Sequence, residues 1–399
     1  MGLYSSLLPA TACTTRPPIT SSTGITRTIY RLTSLYIIEG IYVIYVIGLD
    51  VGGANLKAVK LLVSGDEVKL LETIREYFPL WIHGKVGLEK KLRELKSRLT
   101  SGIDSYVVAA CMTAELCDIY RVKREGVEHV VRSVCEAFHD ARDVKFVTVE
   151  MKLVDRDEAV KNYLKVAAAN WAASAWFLEK YCSKWGIRNL VFIDIGSTTT
   201  TIIPIVGGKV QVLGLTDPEK LQCGELVYTG VLRGNVAALV DKVPYKGYMV
   251  RVSFERFALM GDVHLVLSNI APEDYTTETA DGRGKSVREA MERLARVVCA
   301  DVDMMNEYEI RELARYIYEV QVFKVFEALM QIRSRIASQG MDPNTFTAVT
   351  AGIGEFLARV AAVRAGFKEV ISIRDLVGHE ISSVFPAYAA ALMLVHGGA

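Results

Sequence analysis

A chain of 399 residues, 51% hydrophobic and 23% charged, can bury the cores of about two domains and is not a disordered protein. Its formal net charge of +1 excludes the basic excess of a nucleic-acid binder and points to small-molecule partners. The seven cysteines are scattered without a C-x-x-C pair, and no window reaches the roughly 20 apolar residues of a membrane span, so a reducing, cytoplasmic setting without a membrane partner is expected.

Residues 1–40 are rich in Ser and Thr, carry Pro17-Pro18 and have no acidic side chain before Glu39. That bias resembles a transit peptide but lacks the ordered regions of a secretion signal, so the stretch reads as a disordered extension or a misassigned start. The fold-forming pattern begins near Ile41. Tyr42–Leu49 is a β-branched run that predicts a buried strand, with Leu56–Val63 and Val68–Tyr77 as its returns. Helical spacing follows at Leu88–Leu99, a buried strand at Tyr106–Cys111, a helix at Val127–Phe138 and a strand at Phe146–Val149. A long alanine-rich helix is predicted over Ala159–Leu178. This order resembles a ribonuclease H-like domain, expected over residues 41–185.

The pattern then restarts. Asn189–Ile195 predicts a buried strand, with Thr200–Val206 and Lys209–Leu213 as returns, so the opening hairpin recurs about 145 residues after its first copy. A repeat at that distance indicates a duplicated domain, because solenoids repeat every roughly 20–50 residues. The second domain is expected over 186–399, with an insertion at about 219–306 and a strong helix over 307–338. Phe346–Ala351 predicts a last main strand, Val370–Ile373 a short one, and Phe385–Val395 a small-residue helix. The expected fold class is α/β: two ribonuclease H-like domains flanking a cleft.

The residues after the two leading strands carry the chemistry. Asp50-Val51-Gly52-Gly53 is followed by Asn55 and Lys57, and Asp194-Ile195-Gly196-Ser197 by Thr198 and Thr199. Glycines let the backbone approach a ligand closely, and successive N–H groups can cradle a phosphate. Each Asp stands at a strand end, suited to a hydrated Mg²⁺, which prefers carboxylate oxygen and keeps most of its waters. Alone, the first turn reads equally as a Gly-rich hairpin with a capping Asp. Two such turns on duplicated domains would pool their donors around a di- or triphosphate. A third glycine turn, Gly352-Ile353-Gly354-Glu355, joins a strand to a helix whose N-terminus favours negative charge. Three such turns in this order resemble the actin, sugar-kinase and Hsp70 superfamily.

Longer motifs narrow the resemblance. Asp50–Lys57 (DVGGANLK), Met112–Gly126, Ala169–Trp171 (ANW) and Asp194–Pro204 (DIGSTTTTIIP) are similar to those of an archaeal, one-carbon-metabolism family. So are Gly224–Leu232, Glu273–Ser286 and Ala351–Glu355. It is the hydantoinase/oxoprolinase-like family that contains the methanofuran-biosynthesis condensing enzyme, and the resemblance covers residues 44–396. It implies a transferase that joins the phenol of a γ-glutamyltyramine-type amine to an aminomethyl-furan-methyl diphosphate with release of diphosphate. Mg²⁺ held by Asp50 and Asp194 fits that chemistry. Two other readings stay open: an ATP-dependent hydantoinase/oxoprolinase-like hydrolase using the same turns for ATP, and a nucleotide-binding regulator without chemistry. Oligomeric state is not readable.

Other segments carry less. Glu115 reads either as a general base for a phenol or as a helix-start carboxylate. Asn170-Trp171 stands where many sugar kinases carry a catalytic Asp after Asn, so hydroxyl phosphorylation is disfavoured. The loop Glu273–Lys285, with Arg283 and Lys285, reads as a substrate-closing loop or as a solvated one. Arg293 and Arg296 are expected as salt-bridged surface groups, and the six histidines as structural.

Overall fold

The computed structural model describes residues 36–38 and 41–397. The extension or misassigned start expected over 1–40 lies outside them except at β1 (Tyr36–Ile38), which pairs antiparallel with the start of the next strand. The first sheet continues with β2 (Ile41–Val51), β3 (Asn55–Ser64), β4 (Glu67–Tyr77), helix α1 (Leu80–Leu99), β5 (Tyr106–Met112), α2 (Lys123–Ala137), β6 (Asp143–Val147) and β7 (Leu153–Val154). Its order is β4-β3-β2-β5-β6-β7, antiparallel from β4 to β2 and parallel from β2 through β6.

The segment expected as one helix over Ala159–Leu178 is broken into α3 (Arg156–Lys161), α4 (Tyr163–Val166) and α5 (Asn170–Tyr181). One break is at Ala168, a non-glycine residue held at φ 51°. Alanine propensity favours continuity, but the Lys165 carbonyl accepts a hydrogen bond from Val149 N at 2.7 Å, a tie to the first sheet that a continuous helix could not make.

The second sheet repeats the first: β8 (Leu190–Ile195), β9 (Thr200–Val206) and β10 (Lys209–Val210) form the antiparallel part. The strand expected to reach Leu213 stops early because Leu213 and Gly214 donate their N–H groups to the Glu225 carboxylate, at 2.8 and 2.9 Å, instead of to a ladder. Then come α6 (Asp217–Gln222), β11 (Leu226–Val227), α7 (Val236–Leu239), the hairpin β12 (Lys242–Tyr245) and β13 (Tyr248–Arg251), α8 (Met260–Val266), α9 (Val287–Arg296) and α10 (Glu307–Ser338). The chain closes with β14 (Thr347–Ala351), α11 (Glu355–Arg364), β15 (Glu369–Ser372), α12 (Ile373–Val377), α13 (His379–Ser383) and α14 (Phe385–His396). The order β10-β9-β8-β14-β15 has the same antiparallel and parallel pattern as the first sheet. The region expected as an insertion is not all peripheral, since β11 pairs with β9.

Strand alternation decides what each face buries. Ile47, Leu49 and Val51 of β2 face α1 and α2, while Val46 faces a middle layer that contains α5 and α14. In β8, Val191, Ile193 and Ile195 face α10 and α11, and Leu190 and Phe192 face the same middle layer. Helix α14, within the range expected for the second domain, packs on β2 of the first sheet: a Cβ on Gly48 would strike the Ala387 carbonyl and come within 2.9 Å of Ala391 Cβ. Phe177 of α5 meets Phe385 edge-to-face at 5.1 Å, and small residues such as Ala172, Ala173 and Ala390 let these helices approach closely.

Candidate functional site

Parity along the strands brings the two leading carboxylates together. Asp50 shares a face of β2 with Val46 and Gly48, and Asp194 shares a face of β8 with Leu190 and Phe192. Both emerge at strand ends on the sides turned to the middle layer. Lys57, opposite Asp50 in the β2–β3 ladder, places Nζ 3.1 Å from Asp50 Oδ2. Burial disfavours charge on Lys57, but attraction from Asp50 and then Asp194 outweighs it and raises the pKa of the ammonium. Desolvation raises the pKa of Asp194; Lys57 opposes that, Asp50 adds to it and Arg75 opposes it again, with a net rise. One lysine thus bridges two carboxylates electrostatically.

The two glycine turns share a backbone hydrogen-bond pattern. Gly52 N donates to the Asn55 carbonyl at 3.0 Å, and Gly196 N to the Thr199 carbonyl at 2.9 Å. The residue after each Asp accepts equivalently: Val51 O from Thr113 N at 3.0 Å, Ile195 O from Gly354 N at 2.9 Å. A Cβ on Gly52 would lie 2.7 Å from the Asn55 carbonyl, so this turn tolerates only glycine without shifting. Gly53, Ser197 and Thr198 are partly accessible, with the Ser197 and Thr198 hydroxyls 3.4 Å apart. Gly352, at φ 84°, sits against Asp194 and the Ile195 carbonyl, where any Cβ would collide. The third turn is therefore brought to the second. Glu355 opens α11, its Oε1 3.4 Å from Thr350 Oγ1.

Glu115 lies in the loop after β5, 1% exposed, with Oε2 buried and without a hydrogen-bond partner. Burial pushes its carboxyl up to about 7, against a lowering by its own backbone N–H and by Lys123. A carboxyl poised near neutrality is suited to take a proton. The strained Ala168 backbone N–H also acts on it. Trp171 is buried and carries the Lys220 ammonium 3.9 Å from its ring centroid. Burial lowers the pKa of Lys220 to about 8, and Glu225 stands 3.7 Å away.

The loop residues expected at the ligand are committed elsewhere. Arg283 pairs with Asp281 and Glu292, each at 2.8 Å, and Lys285 stands 5.6 Å from the Tyr275 ring centroid. It is Glu278 of this loop that reaches the end of β4, accepting from Tyr77 Oη at 2.6 Å. Arg293, expected at the surface, is fully buried, bonded to Asp262 at 2.8 Å, Asp281 at 3.2 Å and the Gly284 carbonyl at 3.1 Å. Arg296 is salt-bridged as expected, to Asp281 at 3.1 Å.

Sequence reading named Gly224–Leu232 as a motif but did not place Thr229–Arg233 at the site, where it runs along the second turn. Val231 N donates to Gly196 O at 3.0 Å, while Leu232 N and Arg233 N donate to Ser197 O at 3.0 and 2.9 Å. Gly230 has no room for a Cβ, which would lie 2.5 Å from Thr198 N. The glycine here was the available clue. Arg75 was also missed; it faces Lys57 in the β3–β4 ladder and its charge acts on Asp194.

Residues 106–396 match the hydantoinase/oxoprolinase family. A (4-{4-[2-(gamma-L-glutamylamino)ethyl]phenoxymethyl}furan-2-yl)methanamine synthase of Methanocaldococcus jannaschii is 35% identical over 352 residues, 88% of this chain and 98% of that protein. A synthase of the same name from Methanococcus vannielii is 30% identical over 210 residues, 52% of this chain and 91% of that protein. Among solved structures, nucleotide-free acetone carboxylase aligns over 88% of this chain and 70% of its own with a TM-score of 0.52 at 10% identity, a likeness of fold alone. No helix among the described residues is long and apolar enough to cross a membrane. With two matching sheets, Asp-Gly turns of one hydrogen-bond pattern and a relative matched over nearly its whole length, the chain belongs to the hydantoinase/oxoprolinase family of actin-like fold and, within it, to the family of methanofuran-biosynthesis synthases.

Proposed function

We propose that the chain is a Mg²⁺-dependent transferase that joins a phenolic amine of the γ-glutamyltyramine type to an aminomethyl-furan-methyl diphosphate. The phenol oxygen forms a bond to the furfuryl carbon, the bond from that carbon to the diphosphate oxygen breaks, and the electron pair leaves with diphosphate. The phenol proton passes to the Glu115 carboxylate. The observation that carries this reading is the pair of Asp-Gly turns with one hydrogen-bond pattern, whose two carboxylates both act on the Lys57 ammonium.

The donor set fits Mg²⁺. Two carboxylates already attract one shared cation, the Lys57 ammonium, and one or two carboxylates are what this ion takes from a protein. Asp50 and Asp194 would hold it. When bound it neutralises charge on a leaving diphosphate. The N–H groups of Gly53, Ser197 and Thr198 and the hydroxyls of Ser197 and Thr198 orient the phosphates, while the N–H groups of Gly52 and Gly196, expected at the phosphate, close the turns on the Asn55 and Thr199 carbonyls; Lys57 and Arg75 balance the phosphate charge.

The test is purified protein with Mg²⁺, the furan-methyl diphosphate and the phenolic amine, beside a parallel reaction with ATP. Stoichiometric aryl ether and diphosphate are expected. Robust ATP turnover with no ether would overturn the reading in favour of an ATP-dependent hydrolase.

A further inference from the structure

We infer that Arg233 is a phosphate-binding residue of the cleft and that Trp81 holds it between the two glycine turns. This rests on the diphosphate reading above. The main chain of Arg233 belongs to the second turn, through its N–H on Ser197 O at 2.9 Å. Its guanidinium does not stay there. It lies 4.0 Å from the centroid of the Trp81 ring. Trp81 in turn belongs to the first turn: Leu80 N donates to Gly53 O at 2.9 Å, and Phe78 N to Ala54 O at 2.9 Å. The Arg233–Trp81 stack therefore spans from one phosphate turn to the other, joining segments that lie far apart in sequence.

Stacking occupies the face of a guanidinium and leaves its edge of N–H donors free. Among the described residues no carboxylate pairs with that edge, whereas Arg283, Arg293, Arg296 and Arg335 each have one. Among the described residues the hydrogen-bonding neighbour of the guanidinium is Thr198 Oγ1 in the second turn, 3.5 Å from Nη1 and too distant to satisfy it. A held, undersatisfied guanidinium beside hydroxyls and turn N–H groups is complementary to a phosphate, which takes two parallel N–H bonds from such a fork. The charge balance agrees. Lys57 and Arg75 only match Asp50 and Asp194 in number, so the charge of a diphosphate calls for further cations, and Arg233 adds one from beside the second turn.

The experiment is calorimetric titration of the full chain with inorganic pyrophosphate and Mg²⁺, alongside kinetics of ether formation. Arg233→Met is expected to weaken pyrophosphate binding about 10- to 100-fold, and Arg233→Lys to recover only part of it, since an ammonium lacks the fork. Trp81→Leu, which leaves the arginine charged but unheld, is expected to raise KM for the diphosphate ester more than it lowers kcat. Trp81→Phe keeps a ring and most of the affinity. Pyrophosphate should change the tryptophan emission of the wild type and not that of Trp81→Phe. Thermal melting of each variant shows that the fold persists, and Arg233→Lys with Trp81→Phe carries the test if the larger changes do not fold. Wild-type pyrophosphate affinity in Arg233→Met overturns the assignment while ether formation leaves the reaction standing. Pyrophosphate binding that needs Arg233 in a protein that forms no ether overturns the reaction and leaves the assignment standing.

Discussion

Lys57 Nζ sits 3.1 Å from Asp50 Oδ2 across one rung of the β2–β3 ladder, and the same ammonium is the strongest attractive charge on Asp194. One side chain thus pairs with the carboxylate of the first turn and attracts that of the second. Asp50→Asn and Asp194→Asn are each expected to lower kcat for ether formation by about 100-fold or more, with an unchanged far-UV circular dichroism spectrum. Wild-type turnover in either variant would remove the metal role proposed for that carboxylate.

Glu115 predicts a pH dependence of known sign. Burial holds its carboxyl at about 7 rather than 4.5, so between those values the unfolded chain has released the proton and the folded chain has kept it. Stability therefore falls as pH rises through that window and stays lower above it. Glu115→Gln removes this penalty; its advantage over wild type should be absent below about pH 4.5 and reach the order of 3 kcal/mol above about pH 7. Chemical denaturation at the two ends of the range measures the difference. The same variant should lose ether formation, and wild-type kcat/KM should rise with pH through about 7. A flat profile there would exclude Glu115 as the proton acceptor.

Gly48 is required by packing rather than by backbone angle. A Cβ at this position meets the Ala387 carbonyl and Ala391, so Gly48→Ala must push α14 off β2. The expected loss is about 1–3 kcal/mol, read from thermal or urea melting, although no predicted ligand contact is touched. An unchanged midpoint would mean that α14 does not pack as described.

Arg293 should be among the costliest single substitutions outside the cleft. It is fully buried and bonded to Asp262, itself fully buried with its carboxyl held at about 6, chiefly by burial. Arg293→Met leaves that carboxylate without its cation, at a cost of about 3–5 kcal/mol. Arg293→Lys should not rescue it, because one ammonium cannot serve Asp262, Asp281 and the Gly284 carbonyl in the fork geometry that arginine provides. Urea midpoints of the two variants check this, and near-wild-type stability of the lysine variant would contradict it.

Much of this protein is legible in its residues alone, for a local reason. Side-chain alternation and β-branched runs mark β2, β3, β8, β9 and β14 within a residue or two of their ends, and the repeated Asp-Gly turns announce the duplication. Both properties are encoded over spans of a few residues, so the paired carboxylates and the three glycine turns can be named in advance. What could not be read depends on which distant segments meet. Tyr77 finds Glu278 201 residues away, Arg293 is drawn inside by Asp262, and α14 returns to β2 past the whole second sheet. Even the alanine-rich segment breaks at Ala168 against its own propensity, because the Lys165 carbonyl bonds to Val149 instead. Periodicity determined where strands and turns would form; only the folded chain decided which charges would be buried, which loop arms reach the cleft, and that Arg233 and Trp81 would stand between the two turns, because those outcomes depend on partners supplied by distant parts of the sequence.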